Sequence, residues 1–245
     1  MARLDGRRPD EIRPVRAEVD FVEYPEGSVL FSLGGTRVLC NVSVEDGVPS
    51  WMQSRGQPGG WVTAEYAMLP RSTHTRTPRE TGAPRGRSAE IRRIVGRSLR
   101  AAVRLHEMPP VTCIVDCDVI QADGGTRTAA VTGGYMALAL ALHRTVGAMG
   151  HRPDFLAPAV AAISVGRLDG QLLVDLDYGE DSQAEFDLNL VMNAEQELVE
   201  IQGTAEQAPL PLQQLDRVLE LGRGAIQELI SFQEELLTAH VPAGR

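Results

Sequence analysis

The stretch "ADGGTRTAAVTGGY", residues 122 to 135, sets Gly124, Gly125, Thr126 and Arg127 directly ahead of a long run of small and apolar side chains. A helix N-terminus presents unpaired N–H groups and the positive end of the helix dipole. Two glycines and an arginine at such a point therefore form a cradle for an anion. The same residues equally form a strand-to-helix turn in which glycine supplies permissive φ angles. A second arginine, Arg87 in "RGRSAEIRR", stands just before Ser88, a candidate N-cap for a helix whose apolar face opens at Ile91. Arg87 then sits either at a second helix start that faces an anion or among solvated charges. A third group is acidic. "DLDYGEDSQAEFDLN" carries Asp175, Asp177, Glu180, Asp181, Glu185 and Asp187, which form either a solvated turn or hard oxygen ligands for Mg²⁺. Asp181 and Asp187 would lie roughly 20 Å apart in an extended chain, so they share a metal only if residues 178 to 185 fold back.

In combination these groups suit transfer of a phosphoryl or nucleotidyl group, where charge gathers on equatorial oxygens and needs fixed positive partners. Arginine fits that task because it binds phosphate bidentately and stays protonated. The net charge of −9 at first argues against a polyanionic partner. Its distribution reverses the impression. All basic residues are arginine, and between Arg71 and Arg104 ten arginines face two acids, leaving that segment at +8 and the remainder at −17. The absence of lysine excludes the phosphate loop of nucleotide hydrolases, which ends in Gly-Lys-Ser/Thr, and no G-x-G-x-x-G follows a strand. No Cys/His cluster has zinc spacing. In "CIVDC" a strand would hold Cys113 and Cys117 roughly 13 Å apart, too far for a disulfide or a shared metal, so they and Cys40 are expected to be buried small hydrophobes.

The elements that must position these groups follow from periodicity. The first third reads as strands at "EVDFVEY", "GSVLFSL" and "TRVLCNVSV", with a hairpin turn at "SLGGTR", then the loop "RGQPGG" and a short strand in "WVTAEYAML". Residues 70 to 87 hold almost no apolar side chains and predict an exposed loop. Ile91, Ile94, Val95, Leu99, Ala102 and Val103 then share one helical face. "VTCIVDCDVIQAD" predicts a strand and "GGTRTAAVTGGYMALALALHRTVGAMG" a buried helix. Two hairpins follow, one turning on Leu168-Asp169-Gly170 and one near Asn193. The tail from Leu210 predicts an amphipathic helix with Leu212, Leu215, Val218 and Leu219 inward. This order gives an α+β fold of mixed β-sheets packed with α-helices, with two loosely similar halves and one continuous core. A single domain over residues 1–245, with its core at about 12–238, is expected. The 245 residues, 43% of them hydrophobic, suffice for such a core. No run approaches a membrane span and "MARLDGRRPDEIRPV" lacks an apolar signal core, so a cytoplasmic protein with no membrane partner is expected.

The strings "LPRSTHTR", "QADGGTRTA" and "EIQGTAE", in this order and joined by "DGRRPDEIRPV", "GRSAEIRRIVGRSLRA" and "DLDYGEDSQAEFDLNLVM", make the chain closely resemble the ribonuclease PH family over essentially its whole length. The resemblance implies the ribonuclease PH fold and a tRNA nucleotidyltransferase, that is, a phosphorolytic 3′→5′ exoribonuclease that trims transfer-RNA precursors. Carried over by residue, it implies a phosphate site at Arg87, Gly125, Thr126 and Arg127, with inorganic phosphate as the nucleophile and nucleoside diphosphates as products. It further implies Mg²⁺ at Asp181 and Asp187, with these carboxylates and the two arginines forming the catalytic group. RNA guidance falls to Arg71, Arg76 and Arg79 in the loop, joined by Arg92 and Arg93. It implies a homohexamer, a trimer of dimers, with that loop near subunit contacts. Intact "GGTR", Arg87, Asp181 and Asp187 favour an active enzyme over a catalytically silent RNA-binding ring subunit. The chain departs from the family pattern at Pro58-Gly59 and at Ala83-Pro84, both outside the catalytic positions.

Overall fold

The computed structural model describes residues 3–82, 86–148, 155–205 and 207–241. The Ala83-Pro84 departure lies outside them. Strands β1 (Val15–Val19), β2 (Gly27–Leu33) and β3 (Thr36–Asp46) form an antiparallel meander, with Gly34-Gly35 making the turn expected at "SLGGTR". A short helix α1 (Ser50–Ser54) leads to β4 (Trp61–Met68), and α2 (Gly86–Ala101) crosses over to β5 (Val111–Gln121). The crossover makes β4 and β5 parallel and leaves β4 at the edge of a five-stranded sheet ordered β1-β2-β3-β5-β4. The long helix α3 (Thr126–Ala148) follows. A second, wholly antiparallel sheet is ordered β7-β6-β8-β9, from β6 (Val160–Leu168), β7 (Gln171–Val174), β8 (Phe186–Asn193) and β9 (Leu198–Ala205). Between β7 and β8 lies the one-turn helix α4 (Tyr178–Asp181), and α5 (Leu215–His240) closes the fold.

Helix α3 explains its own composition. It packs on β2, β3 and β5 of the first sheet and on β6 of the second, so it is buried on nearly all sides, as residues 128–142 are. Close approach needs small side chains: a Cβ on Gly133 would lie 2.7 Å from Phe31 Cβ and 3.0 Å from Cys40 Sγ. Thr132 Oγ1 accepts from the Ala162 amide at 3.1 Å, and Gln233 Nε2 donates to the carbonyls of Thr132 and Val160 at 3.0 Å each. These bonds stitch α3 and α5 to the second sheet, and one apolar cluster runs from Ile12 to Ile230. The expected face of α2 is inward, with Ile91, Val95 and Leu99 at 0% exposure, and Ala102, just past the end of the helix, is equally buried. Cys40, Cys113 and Cys117 are buried free thiols, and burial pushes that of Cys113 up to about 12.

Three local expectations are corrected. The first strand is Val15–Val19 rather than "EVDFVEY"; Asp20 takes a φ of +57°, which ends the extended run, and Tyr24 is exposed. Ser88 is not an N-cap, because it lies inside α2 and its hydroxyl donates to Glu80 Oε1 at 3.0 Å. Leu212 is 80% exposed in a 3₁₀ turn that precedes α5, so the inward face of that helix opens only afterwards. Among the described residues no helix is long and apolar enough to cross a membrane.

Candidate active site

Strand β5 delivers the chain to the glycine turn, and the turn starts α3. Gly124 and Gly125 carry φ values of +73° and +65°, a region that suits residues without a Cβ. A Cβ on Gly124 would stand 2.5 Å from the Leu176 carbonyl oxygen, so the turn is pressed against the segment that leads into α4. Thr36 clamps it from below: its hydroxyl donates to the Gly124 carbonyl at 2.6 Å and accepts from the Asp123 amide at 2.9 Å. Arg13 donates to the Asp123 carbonyl and also forks Asp175, with Nε to Oδ2 at 2.9 Å and Nη2 to Oδ1 at 2.7 Å. Burial works against that charge, but the bonds and charge of Asp175 outweigh it and hold the guanidinium more firmly protonated than usual. Thr126 and Arg127 thus open a helix on a braced turn.

The acidic stretch divides into four structural carboxylates and two that face the cleft. Asp175 is fully buried against Arg13. Asp177 and Glu180 form a capping box on α4, and Glu180 also accepts from Arg3 Nε and Nη2 at 2.7 Å each. Glu185 takes Arg167 Nε at 2.7 Å and the Gly170 amide at 2.8 Å. The six-residue acidic group foreseen from sequence is therefore not one cluster. Residues 178 to 185 do fold back, through the turn of α4 and the Ala184 amide donating to the Asp181 carbonyl at 3.3 Å. Asp181 and Asp187 consequently line the same cleft. Asn189 Nδ2 donates to Asp187 Oδ2 at 3.2 Å. Among the described residues no group of three or more His, Cys, Asp or Glu is placed to hold a metal.

That cleft, of about 250 Å³, is lined by Arg87, Gly125, Thr126, Arg127, Asp181 and Asp187 together. The six residues come from α2, the β5–α3 turn, α4 and β8. Its wall also contains residues to which sequence reading assigned no role, chief among them Gln202 and Glu90. Arg127 Nη1 donates to Gln202 Oε1 at 2.7 Å, Gln202 Nε2 in turn donates to Glu90, and Glu90 stands 3.8 Å from Arg127. Gln202 belongs to "EIQGTAE", so the string was visible while the role was not; only the register of β9 on β8, where Gln202 faces Asn189, brings it to Arg127. Tyr66 was likewise passed over. It is 3% exposed on β4, and its hydroxyl donates to Thr126 Oγ1 at 2.9 Å.

The arginines expected to guide RNA lie elsewhere. Arg71, Arg76 and Arg79 are exposed on the loop after β4, and none lines the cleft. Arg92 donates to both Glu65 oxygens at 3.0 and 3.1 Å and, with exposed Arg93 and Arg97 and half-buried Arg100, lines a separate depression of about 220 Å³ beside β4. None of the five is in the lining of the cleft.

Comparison with known proteins gives this arrangement its class. The model of the 3′ exoribonuclease family matches the chain in both its parts, domain 1 over residues 11–142 and domain 2 over residues 159–225. Within that class the chain belongs to the ribonuclease PH family. It is 50% identical over 243 residues to the ribonuclease PH of Mycobacterium sp. (strain KMS), covering 98% of this chain and 93% of that one. Against that of Bacillus subtilis (strain 168) it is 47% identical, with 98% of each chain covered. The fold agrees with rice Rrp46, at a TM-score of 0.77 and 21% identity over 96% of this chain and 100% of that one. It also agrees with a chain of the Archaeoglobus fulgidus exosome with RNA bound to the active site, at a TM-score of 0.76 and 24% identity over 94% of this chain and 92% of that one. The activity is that of the family: phosphorolytic 3′→5′ exoribonuclease, a tRNA nucleotidyltransferase acting in tRNA processing.

Proposed function

We propose that the cleft is the phosphorolytic centre, with inorganic phosphate held by Arg87, Gly125, Thr126 and Arg127 and the RNA 3′ end brought in beside Asp181 and Asp187. The observation that supports this reading is the convergence of these six residues, from four separate segments, on one cleft. Two arginines and the amides of a helix start supply charge and donors for a tetrahedral anion. Phosphate attacks the terminal phosphodiester in line, a new P–O bond forms, and the bond to the 3′ oxygen of the preceding nucleotide breaks. The terminal nucleotide leaves as a nucleoside diphosphate, and the freed 3′ oxygen takes up a proton. One P–O bond replaces a similar one, so the reaction also runs as nucleotide addition from diphosphates.

Asp181 and Asp187 offer hard oxygen donors suited to Mg²⁺, which takes one or two carboxylates and completes its shell with water and substrate phosphate. Such an ion supplies charge stabilisation to the leaving 3′ oxygen and the equatorial oxygens. Asp187, braced by Asn189, is alternatively the acid that protonates the 3′ oxygen. Arg71, Arg76, Arg79, Arg92 and Arg93 guide RNA through its backbone. Their position outside the cleft suits a homohexameric ring, a trimer of dimers, in which the loop lies near subunit contacts. The chain acts as one domain, supported by the apolar cluster shared by both sheets, and works in the cytoplasm. Asp187→Asn tests the reading because it keeps shape and removes charge. Both phosphorolysis and nucleotide addition are expected to be lost while phosphate and RNA binding persist. Near-normal degradation by this variant in excess chelator would exclude both the metal and the acid role.

A further inference from the structure

Tyr66 sits in the interior of β4, the strand on which α2 packs, and is 3% exposed within the apolar core. A buried tyrosine hydroxyl needs a hydrogen-bond partner. Here that partner is Thr126, the first residue of α3, itself 5% exposed and forming part of the cleft wall. The phenol is the stronger acid of the two, so it donates and the threonine oxygen accepts. The threonine then keeps its own proton for another acceptor. Thr128, two residues on, makes the opposite use of its hydroxyl and donates back to the Gly125 carbonyl at 2.9 Å. Thr126, which lines the cleft, has its oxygen engaged as an acceptor, so its hydroxyl proton stays available to a bound anion.

We propose that Tyr66 is a positioning residue of the phosphate site: by donating to Thr126 Oγ1 it holds the threonine rotamer and commits the threonine proton to a phosphate oxygen. This rests on the assignment of phosphate to the Thr126 turn. The result is a relay of two O–H donors that ends on an anion, in which each bond polarises the next. The last bond is charge-assisted and so the strongest. Burial pushes the Tyr66 phenol up; the bond to Thr126 and the charges of Arg87 and Arg127 pull the other way without cancelling it, so the phenol stays a neutral donor.

The test is steady-state kinetics in both phosphate and RNA for Tyr66→Phe, Thr126→Val, Thr126→Ser and the Tyr66→Phe/Thr126→Val pair. Loss of one neutral hydrogen bond corresponds to roughly a 3- to 10-fold change. Tyr66→Phe is expected to raise the KM for phosphate by about that factor, with kcat at saturating phosphate and the KM for RNA nearly unchanged. Thr126→Val raises it at least as much, and adding Tyr66→Phe to it does nothing further. Thr126→Ser, which keeps the hydroxyl, keeps a near-normal KM. An unchanged phosphate KM in Thr126→Val would overturn the phosphate assignment and this inference with it. A raised KM in Thr126→Val with Tyr66→Phe silent, or with the two effects multiplying, would overturn the role of Tyr66 alone.

Discussion

Arginine is the sole cationic side chain of any length in this protein, and two regions use it in opposite ways. In the N-terminal segment Arg3 and Arg13 are forked onto Glu180 and Asp175, with side-chain exposures of 2% and 4%. At the cleft Arg87 is exposed, and Arg127, at 17%, gives its close hydrogen bond to the amide oxygen of Gln202 rather than to a carboxylate. A guanidinium whose donors already meet carboxylates braces the fold and has little left for a substrate. One that meets only a neutral amide, with a carboxylate at 3.8 Å, keeps both charge and donors for an incoming anion. A positive residue is available to bind an anion through what it is not paired with. The two regions are also coupled, since Arg13 holds the carbonyl of Asp123 at the head of the glycine turn.

The sharpest way to break this contrast is Arg13→Met. Removing one partner of a buried pair costs about 3–5 kcal/mol, and the loss here falls toward the lower end because Arg7 Nη1 still stands 3.3 Å from Asp175 Oδ2. Equilibrium denaturation should show that loss together with a drop in activity, because the glycine turn loses its brace. An Arg13→Met variant of normal stability would show that the segment is not structural. The cleft arginines should behave the other way. Arg127→Ala or Arg87→Ala is expected to remove about 1.5–3 kcal/mol of phosphate interaction. The KM for phosphate should therefore rise steeply, while denaturation midpoint and RNA affinity hardly move. Normal phosphate dependence in either variant would break the distinction. The smallest effect belongs to the loop. Removing Arg71, Arg76 and Arg79 together should weaken RNA binding and flatten the dependence of log affinity on log salt, by nearly one unit per lost phosphate contact. An unchanged slope would place the RNA path elsewhere.

Much of the fold was legible because local rules and burial agree along most of the chain. The alternation in "VTCIVDCDVI" and the stripe from Ile91 to Leu99 map directly onto β5 and α2, while Ala102 and Val103 are buried just past the end of the helix. Where they failed, a single residue outweighed the pattern, as at Asp20 with its positive φ or at Leu212 in a turn that precedes its helix. The site was legible in part. "GGTR" keeps the proposed cradle in consecutive residues, so the turn could be picked out directly. The acidic stretch could not be divided by inspection, because Asp175 and Asp181 look alike until Arg13 and α4 assign them.

The amino-acid order by itself determined the elements, the glycine turn, the arginine-rich segment and the family, since each depends on side-chain types at short spacings. Tertiary structure alone decided which charges remained available. Arg3, Arg7 and Arg13 meet Asp175 and Glu180 across separations of more than 160 residues, and no local pattern encodes such a pairing. The parallel placement of β4 beside β5, the strand that leads into the turn before α3, is what carries Tyr66 to Thr126. Pairing β9 with β8 carries Gln202 to Arg127. Charge neutralisation acts through space over a few ångströms, so it answers to the packed chain and not to its sequence neighbours.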